Sequence, residues 1–387
     1  MTVLAAPALE TPSLLVVLPA PASAGAPPPE TMIAGLPLLR RIVLAAARAG
    51  FQRVLVHPRA CPEPRLLEGT GAAMLGADSV TGAPGRLVLL PVNVLPQARW
   101  LRLLREMPLD PGTPAVDPSG AATVEGAEGG ALLRSAGDGA LDLIAELGRR
   151  RPRVVSAGDP AGRFPLVGAD GTKAAEAWLL QSLVKDTEGF MSRHVERRIS
   201  LAITRRLVAT SITPNAMTLV SLAVGLLGAP FFLSPDPLLQ VTGSLLFLTH
   251  SILDGCDGEL ARLKFLESPG GARLDFWGDN LVHVAVFACM AIGWSMATDA
   301  TWPLLLGALA VTGTAAAAVV VSRRSAAAPT ASTARLAEAV ANRDFIYLVV
   351  LLACFGRAHW FLIPVALGTP IFMLLVRWGA RRRRQAA

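Results

Sequence analysis

Only four cysteines occur in 387 residues, Cys61, Cys256, Cys289 and Cys354. They share no paired spacing, which excludes a disulfide framework and a cysteine-built zinc site. The N-terminus lacks a basic segment followed by an uninterrupted apolar core, since "LLVVLP" is too short for one. No signal peptide is expected, and the first half of the chain is expected to stay in the cytoplasm. Basic patches interleaved with aromatics are also missing, although the formal net charge is +7. Much of that charge instead flanks apolar runs, as Arg193, Arg197, Arg198, Arg205, Arg206, Arg323, Arg324 and Arg381 to Arg384. Nucleic acid is therefore not an expected partner. The distribution is that of the cytoplasmic side of a membrane protein.

The mean hydropathy of +0.48 averages two unlike halves. Residues 1–190 are rich in Pro, Gly and Ala, with charges throughout, whereas 211–380 hold long apolar runs with charges confined to clusters. Short apolar runs alternate with helical patterns in the first half. Strands are expected at 13–19, 52–58, 85–92 and within "PRVVSAG", and helices at 36–50, within "LPQARWLRLLREM" and at 141–151. That alternation predicts an α/β layer with a mostly parallel sheet. Between 174 and 208 the pattern becomes helical and charged, and it reads as an amphipathic helix on a membrane surface. Six spans are expected after it, at 215–233, 237–256, 275–296, 301–321, 343–356 and 359–378. With the N-terminus inside, the outer loops carry a single basic residue, Arg357. This agrees with the positive-inside rule.

Between the second and third expected spans lies "LDGCDGELARLKFLESPGGARLDFWGDN", residues 253–280. Asp254 and Asp257 are three apart and share a helix face; Asp275 and Asp279, four apart, share a face of the next helix. Unpaired carboxylates beside lipid repel one another and cost several kcal/mol. A divalent cation resolves both problems, and a set of oxygen ligands alone suits Mg²⁺ or Mn²⁺ rather than zinc. Gly258, Ala261 and Gly271 leave room for a ligand near the backbone. Arg262 brings a forked cation suited to a phosphate oxygen. Metal, phosphate and open backbone together describe a nucleotide-diphosphate site.

The run Asp254-x-x-Asp257-Gly258-x-x-Ala261-Arg262, eight residues, Gly271-x-x-x-Asp275-x-x-x-Asp279 resembles the CDP-alcohol phosphotransferase family at every position of its motif. The resemblance covers about 190–380, including "TPNAMT" at 213–218. It implies an integral membrane enzyme that moves a substituted phosphate from a CDP-linked donor to an alcohol and releases CMP. Asp254, Asp257, Asp275 and Asp279 are implied metal ligands for two ions, with Asp279 also the base. Gly258, Ala261, Arg262, Gly271, Pro214, Asn215 and Thr218 are implied to line the CDP site. Arg323, Arg324 and Arg343 lie on the same side of the membrane and are candidates for a phosphate on the acceptor, against the plainer reading of inside-positive flanks. His250 and His283 flank the site as packing or supporting residues, and Glu259 faces away from it. The implied donor is CDP-diacylglycerol or a soluble CDP-alcohol, and the implied acceptor an inositol phosphate, a glycerol phosphate or another alcohol. A homodimer follows from the same resemblance; the cytoplasmic (inner) membrane with the active site facing the cytoplasm follows from the basic residues on that side.

"AGLPLLRRIVLAAARAGFQRVLV" at 34–56 and "LVLLPVNVLP" at 87–96 resemble the sugar-phosphate nucleotidyltransferases. Two departures stand against activity there. "LPAPASAGAPPPE" has no basic residue where a triphosphate-holding loop is expected, and Asn93 stands where a metal-binding aspartate is expected. The expected organisation is therefore a degenerate nucleotidyltransferase-like α/β domain at 1–175, a juxtamembrane amphipathic helix at 176–210 and an all-α six-span transmembrane domain at 211–387. The competing readings are a bifunctional cytidylyltransferase and phosphotransferase, a catalytically inactive membrane scaffold, and a transporter. The intact motif disfavours the scaffold. Its place at one membrane face disfavours the transporter.

Overall fold

The computed structural model describes residues 13–21, 24–76, 85–110, 112–125, 153–154, 162–168, 170–184, 189–324 and 344–369. The chain divides into two units, Met1–Gln181 and Ser182–Ala387.

The first unit runs β1 (Ser13–Leu18), β2 (Met32–Ile33), β3 (Leu36–Pro37), α1 (Leu38–Arg48), β4 (Arg53–Val56), β5 (Ala73–Met74), β6 (Arg86–Pro91), β7 (Val94–Pro96), α2 (Ala98–Glu106), β8 (Ala115–Val116), β9 (Ala122–Glu125), β10 (Arg153–Val154), β11 (Arg163–Pro165) and α3 (Gly171–Gln181). Seven strands form one sheet in the order β10-β8-β9-β6-β1-β4-β5. The sheet is mixed. β1 runs parallel to β4 and β6, while β9 is antiparallel to both β6 and β8. All six residues of β1 are buried, the mark of a central strand covered on both faces. The strands expected at 13–19, 52–58 and 85–92 are β1, β4 and β6. The helix expected at 141–151 lies outside the described residues.

A hairpin of β2 and β3 is tied down by charge. The Arg41 guanidinium donates to the Ile33 carbonyl at 3.0 and 3.2 Å and to the Ala34 carbonyl at 2.7 Å. Glu176 of α3 accepts from the Ala34 amide at 2.9 Å. Burial pulls the Arg41 pKa down to about 10, against a smaller upward pull from Glu176. The side chain still carries its charge at neutral pH.

The second unit is mostly helical. A π-helical turn (Ser192–Glu196) leads into α4 (Arg197–Leu207), followed by α5 (Pro214–Gly228), which continues as a 3-10 turn to Leu233. Then come α6 (Pro237–Lys264), α7 (Pro269–Thr298), α8 (Trp302–Arg324) and α9 (Phe345–Cys354). The helical stretch expected at 174–208 is thus shared between α3 of the first unit and α4 of the second. Three helices start the same way, with an oxygen-bearing cap before proline. Thr213 accepts from Ala216, Asp236 from Leu238 and Ser268 from Gly271. Proline fits the first helical position because that amide has no partner within the helix. Phe247, Val282, Val286, Phe287, Met290, Val349 and Leu362 form the interior. Leu219, Leu227, Leu245, Leu281, Ile292, Leu305 and Leu351 point outward.

Three helices among the described residues are long and apolar enough to cross a bilayer: Pro214–Leu233, Pro269–Thr298 and Trp302–Arg323. They correspond to the expected spans at 215–233, 275–296 and 301–321. α6 is long enough, at 28 residues, but it buries Gln240, Ser244, His250, Ser251, Asp254, Asp257 and Glu259. α9 has 10 residues. At about 1.5 Å per residue it reaches roughly half of a hydrocarbon core. The last expected span is described only as far as Thr369. The expected loop between 256 and 275 is corrected: α6 runs on to Lys264 and α7 begins at Pro269, which leaves a link of residues 265–268. Phe265 turns the chain there with φ +56°.

Candidate active site

The acidic residues therefore sit on the facing ends of two helices joined by a tight turn. Asp254 and Asp257 of α6 are 5% and 4% exposed. Asp275 of α7 reaches towards them, and carboxylate oxygens of all three lie within 4.8 Å of one another. Three like charges so close are costly unless a cation or protons offset them. The donor set is oxygen only, two of the three carboxylates are buried, and both features fit a hard divalent ion.

Asp279 stands one turn further along α7 and is 25% exposed at its side chain. Its two oxygens lie 3.4 Å from His250 Nε2 and 3.6 Å from His283 Nδ1. His250 is fixed from its other side, where Nδ1 lies 2.9 Å from the Ser221 carbonyl. Phe247 packs edge-on to His283, with ring centroids 5.4 Å apart. Both histidines are thus held by packing and aimed at Asp279. Sequence reasoning had placed them beside the site without a partner.

Helix α5 closes another side. The Thr218 hydroxyl donates to the Asp257 carboxylate and lies 3.2 Å from the Pro214 carbonyl. Asn215, in the first turn of α5, faces Gly271 in the first turn of α7. A β-carbon on Gly271 would stand 2.8 Å from Asn215 Oδ1 and 3.0 Å from Ser268 Oγ. Two helix N-termini therefore meet beside the acidic trio, and their dipoles favour a phosphate there. Arg262 curls back towards Gly258, with Nη1 3.2 Å from where that residue's β-carbon would be. Ala261 lies on the same turn of α6 as Asp257 and Gly258. The residues singled out in "TPNAMT" and in the acidic motif are thus neighbours in space.

Arg323 is exposed at the end of α8. Arg343, the Arg324 side chain and Arg381 to Arg384 lie outside the described residues. Glu259 turns away from the trio, as expected. It is fully buried among polar groups of α4, which no local sequence pattern signals.

In the first unit, Asn93 follows β6 at the C-terminal end of the central strands. Its carbonyl accepts from Leu166 at 2.7 Å, and its buried Oδ1 has no hydrogen-bond partner. Beside it the chain pairs its own charges. Arg163 Nε lies 2.6 Å from Asp117 Oδ1, and the guanidinium sits over the Trp100 ring.

Residues 211–383 match the profile of the CDP-alcohol phosphatidyltransferase family. A bifunctional IPC transferase and DIPP synthase of Thermococcus kodakarensis is 39% identical over 120 residues, 31% of this chain and 27% of that protein. An archaetidylinositol phosphate synthase of Pyrococcus horikoshii is 26% identical over 156 residues, 40% of this chain and 76% of that protein. A CDP-diacylglycerol–serine O-phosphatidyltransferase of Mycobacterium tuberculosis is 34% identical over 99 residues, 23% of this chain and 34% of that protein. The chain spans a third or less of the length of the bifunctional relatives from Thermococcus and Rubrobacter that it matches.

Proposed function

We propose that the protein, whose residues 211–383 are a CDP-alcohol phosphatidyltransferase domain, moves a substituted phosphate from a CDP-linked donor to an alcohol and releases CMP. The observation that carries this reading is the convergence of Asp254, Asp257 and Asp275 within 4.8 Å, beside the paired N-termini of α5 and α7. Those three carboxylates would hold Mg²⁺ or Mn²⁺, with Asp279 completing a site for two ions. When bound, the metal neutralises the donor's diphosphate and stabilises the departing CMP. Gly258, Ala261, Arg262, Gly271, Pro214, Asn215 and Thr218 line the CDP. Asp279, aligned by His250 and His283, takes the proton of the acceptor hydroxyl. That oxygen bonds to the substituted phosphate as the phosphate's bond to CMP breaks. Most of the catalytic effect in such transfers comes from positioning and charge neutralisation.

The donor is CDP-diacylglycerol or a soluble CDP-alcohol. An inositol phosphate is the first acceptor to test, because the Pyrococcus relative is named for an inositol phosphate product. Arg323, with Arg324 and Arg343, would take the acceptor's phosphate. The test offers the purified full chain a panel of CDP donors and acceptors, reads CMP release and identifies products by mass spectrometry. CMP should appear in equal amount with one transfer product. No CMP from any donor–acceptor pair, in the presence of Mg²⁺ and Mn²⁺, would refute the reading.

We read the second unit as a homodimer in the cytoplasmic membrane, the three apolar helices crossing it, with α6, the α9 region and the segment from Ala358 as the further crossings of a six-span domain. The active site and the N-terminus face the cytoplasm, since basic residues flank that side. Reporters fused after Ala387 and inserted at residues 299–300 should give opposite signals; the same signal from both would break the count of crossings.

The domain order is read as 1–175, 176–210 and 211–387, and the first unit as nucleotidyltransferase-like but inactive in nucleotidyl transfer. A second reading has support in the bifunctional relatives, which are named for two activities. Against it stand Asn93 and the loop after β1 without a cation. A triphosphate there would forfeit the charge-assisted contacts that hold it. The full chain carrying Asp275→Ala, which silences the membrane site, should release no pyrophosphate from CTP with any polyol phosphate. Pyrophosphate release by that variant would make the protein bifunctional.

A further inference from the structure

We infer that Glu259 is a positioning residue for the carboxylate trio, acting through α4; the inference rests on the metal site proposed above. Glu259 is 0% exposed, and each of its hydrogen-bond partners described here comes from α4. Arg197 Nη1 lies 2.8 Å from Oε1, Ser200 Oγ 2.7 Å from Oε1 and Thr204 Oγ1 2.6 Å from Oε2. The three donors are spaced by three and four residues, so they form one face of α4. Gly255, one turn before Glu259 on α6, gives them room. A β-carbon there would stand 3.2 Å from Arg197 Nη1 and 3.8 Å from Ser200 Cβ. Cys256 Sγ lies 3.5 Å from the Ser200 carbonyl on the same side.

This contact lies behind the site. Glu259 follows Asp257 by two residues and Asp254 by five, so the 3.6-residue turn puts it on the opposite side of α6. The face of α4 that meets α6 is its hydroxyl face, while Ile199 is 43% exposed. Apolar packing alone would tolerate small rotations of α6. Three donors converging on one carboxylate do not, because hydrogen bonds weaken steeply with misalignment. The turn so held is the one that carries Asp254 and Asp257, which must stay within reach of Asp275 despite mutual repulsion. A buried ion pair is a poor source of net stability, and its best-attested use is to select one arrangement. A fourth carboxylate two residues from Asp257 is tolerated because Arg197 neutralises it.

The test measures Mn²⁺ binding by the full chain in detergent, by electron paramagnetic resonance without substrate. Asp275→Ala should abolish binding; if it does not, the metal site itself is wrong. Glu259→Gln and the milder Thr204→Val, which leaves no stranded charge, should each raise the Kd about tenfold, the usual effect of residues that orient metal ligands. CMP release by both variants should fall at limiting Mn²⁺ and recover at saturating Mn²⁺. Arg205→Ala, exposed on the same helix, should match the parent. If both variants bind Mn²⁺ within about twofold of the parent while unfolding at lower temperature, Glu259 is an anchor only and the inference fails.

Discussion

Asp254→Ala and Asp275→Ala should each lower CMP release by roughly a thousandfold. A metal held by these residues supplies several kcal/mol of transition-state stabilisation, and about 1.4 kcal/mol corresponds to a tenfold change in rate. Asp279→Asn should cost about 10²–10⁴-fold, the range for losing a positioned base. Stability responds in the opposite direction. The three carboxylates lie within 4.8 Å of one another, so removing one relieves repulsion. The metal-free unfolding temperature of the Asp254 and Asp275 variants should therefore not fall. Mn²⁺ should raise the unfolding temperature of the parent and leave these two variants unchanged, since a ligand stabilises only the state it binds. Full CMP release in excess chelator, or a parental rate in Asp275→Ala, would remove the metal from the mechanism.

The convergence of the aspartates was legible in part. Asp254 and Asp257, and Asp275 and Asp279, share helix faces by spacing alone, whereas the short link at 265–268 and the grouping of three carboxylates, with Asp279 one turn further on, were not. The starts of α5 and α6 fell within a residue of the spans expected at 215 and 237, but α7 begins at Pro269, six residues before the span expected at 275. The end of α6 was not legible. Its charges read as the exit from lipid and therefore as the end of a helix. Backbone hydrogen bonds have no such requirement, and the helix continues beyond the apolar region to Lys264. In the first unit, β9 went unseen because four residues within a Gly- and Ala-rich stretch carry no clear alternation, and pairing with β6 decides them. Glu259 was read correctly as facing away from the site. What it faces depends on residues 55 to 62 positions earlier, and no periodicity in α6 reports them.

Gly270 and Gly271 are adjacent, yet substitutions at them should diverge sharply. A β-carbon on Gly270 meets nothing within 4 Å, whereas one on Gly271 stands 2.8 Å from Asn215 Oδ1 and 3.0 Å from Ser268 Oγ. Ser268 Oγ caps α7 by accepting from the Gly271 amide at 3.0 Å, so it cannot retreat without uncapping the helix. A methyl at Gly271 must therefore displace the Asn215 carboxamide, the free end of its side chain, from the gap between the two helix N-termini, at the point where the donor's diphosphate is proposed to lie. A displacement near 1 Å at such a site costs about a hundredfold in rate. Gly271→Ala should lose roughly tenfold in kcat/KM for the CDP donor and Gly271→Val about a hundredfold, the larger side chain forcing the larger shift. Gly270→Ala should stay near the parental value. Mn²⁺ binding should survive in all three, since none of them touches the carboxylates. Steady-state kinetics with varied donor decides the matter. Equal losses at the two glycines would mean that the close approach of α5 and α7 has no part in holding the donor.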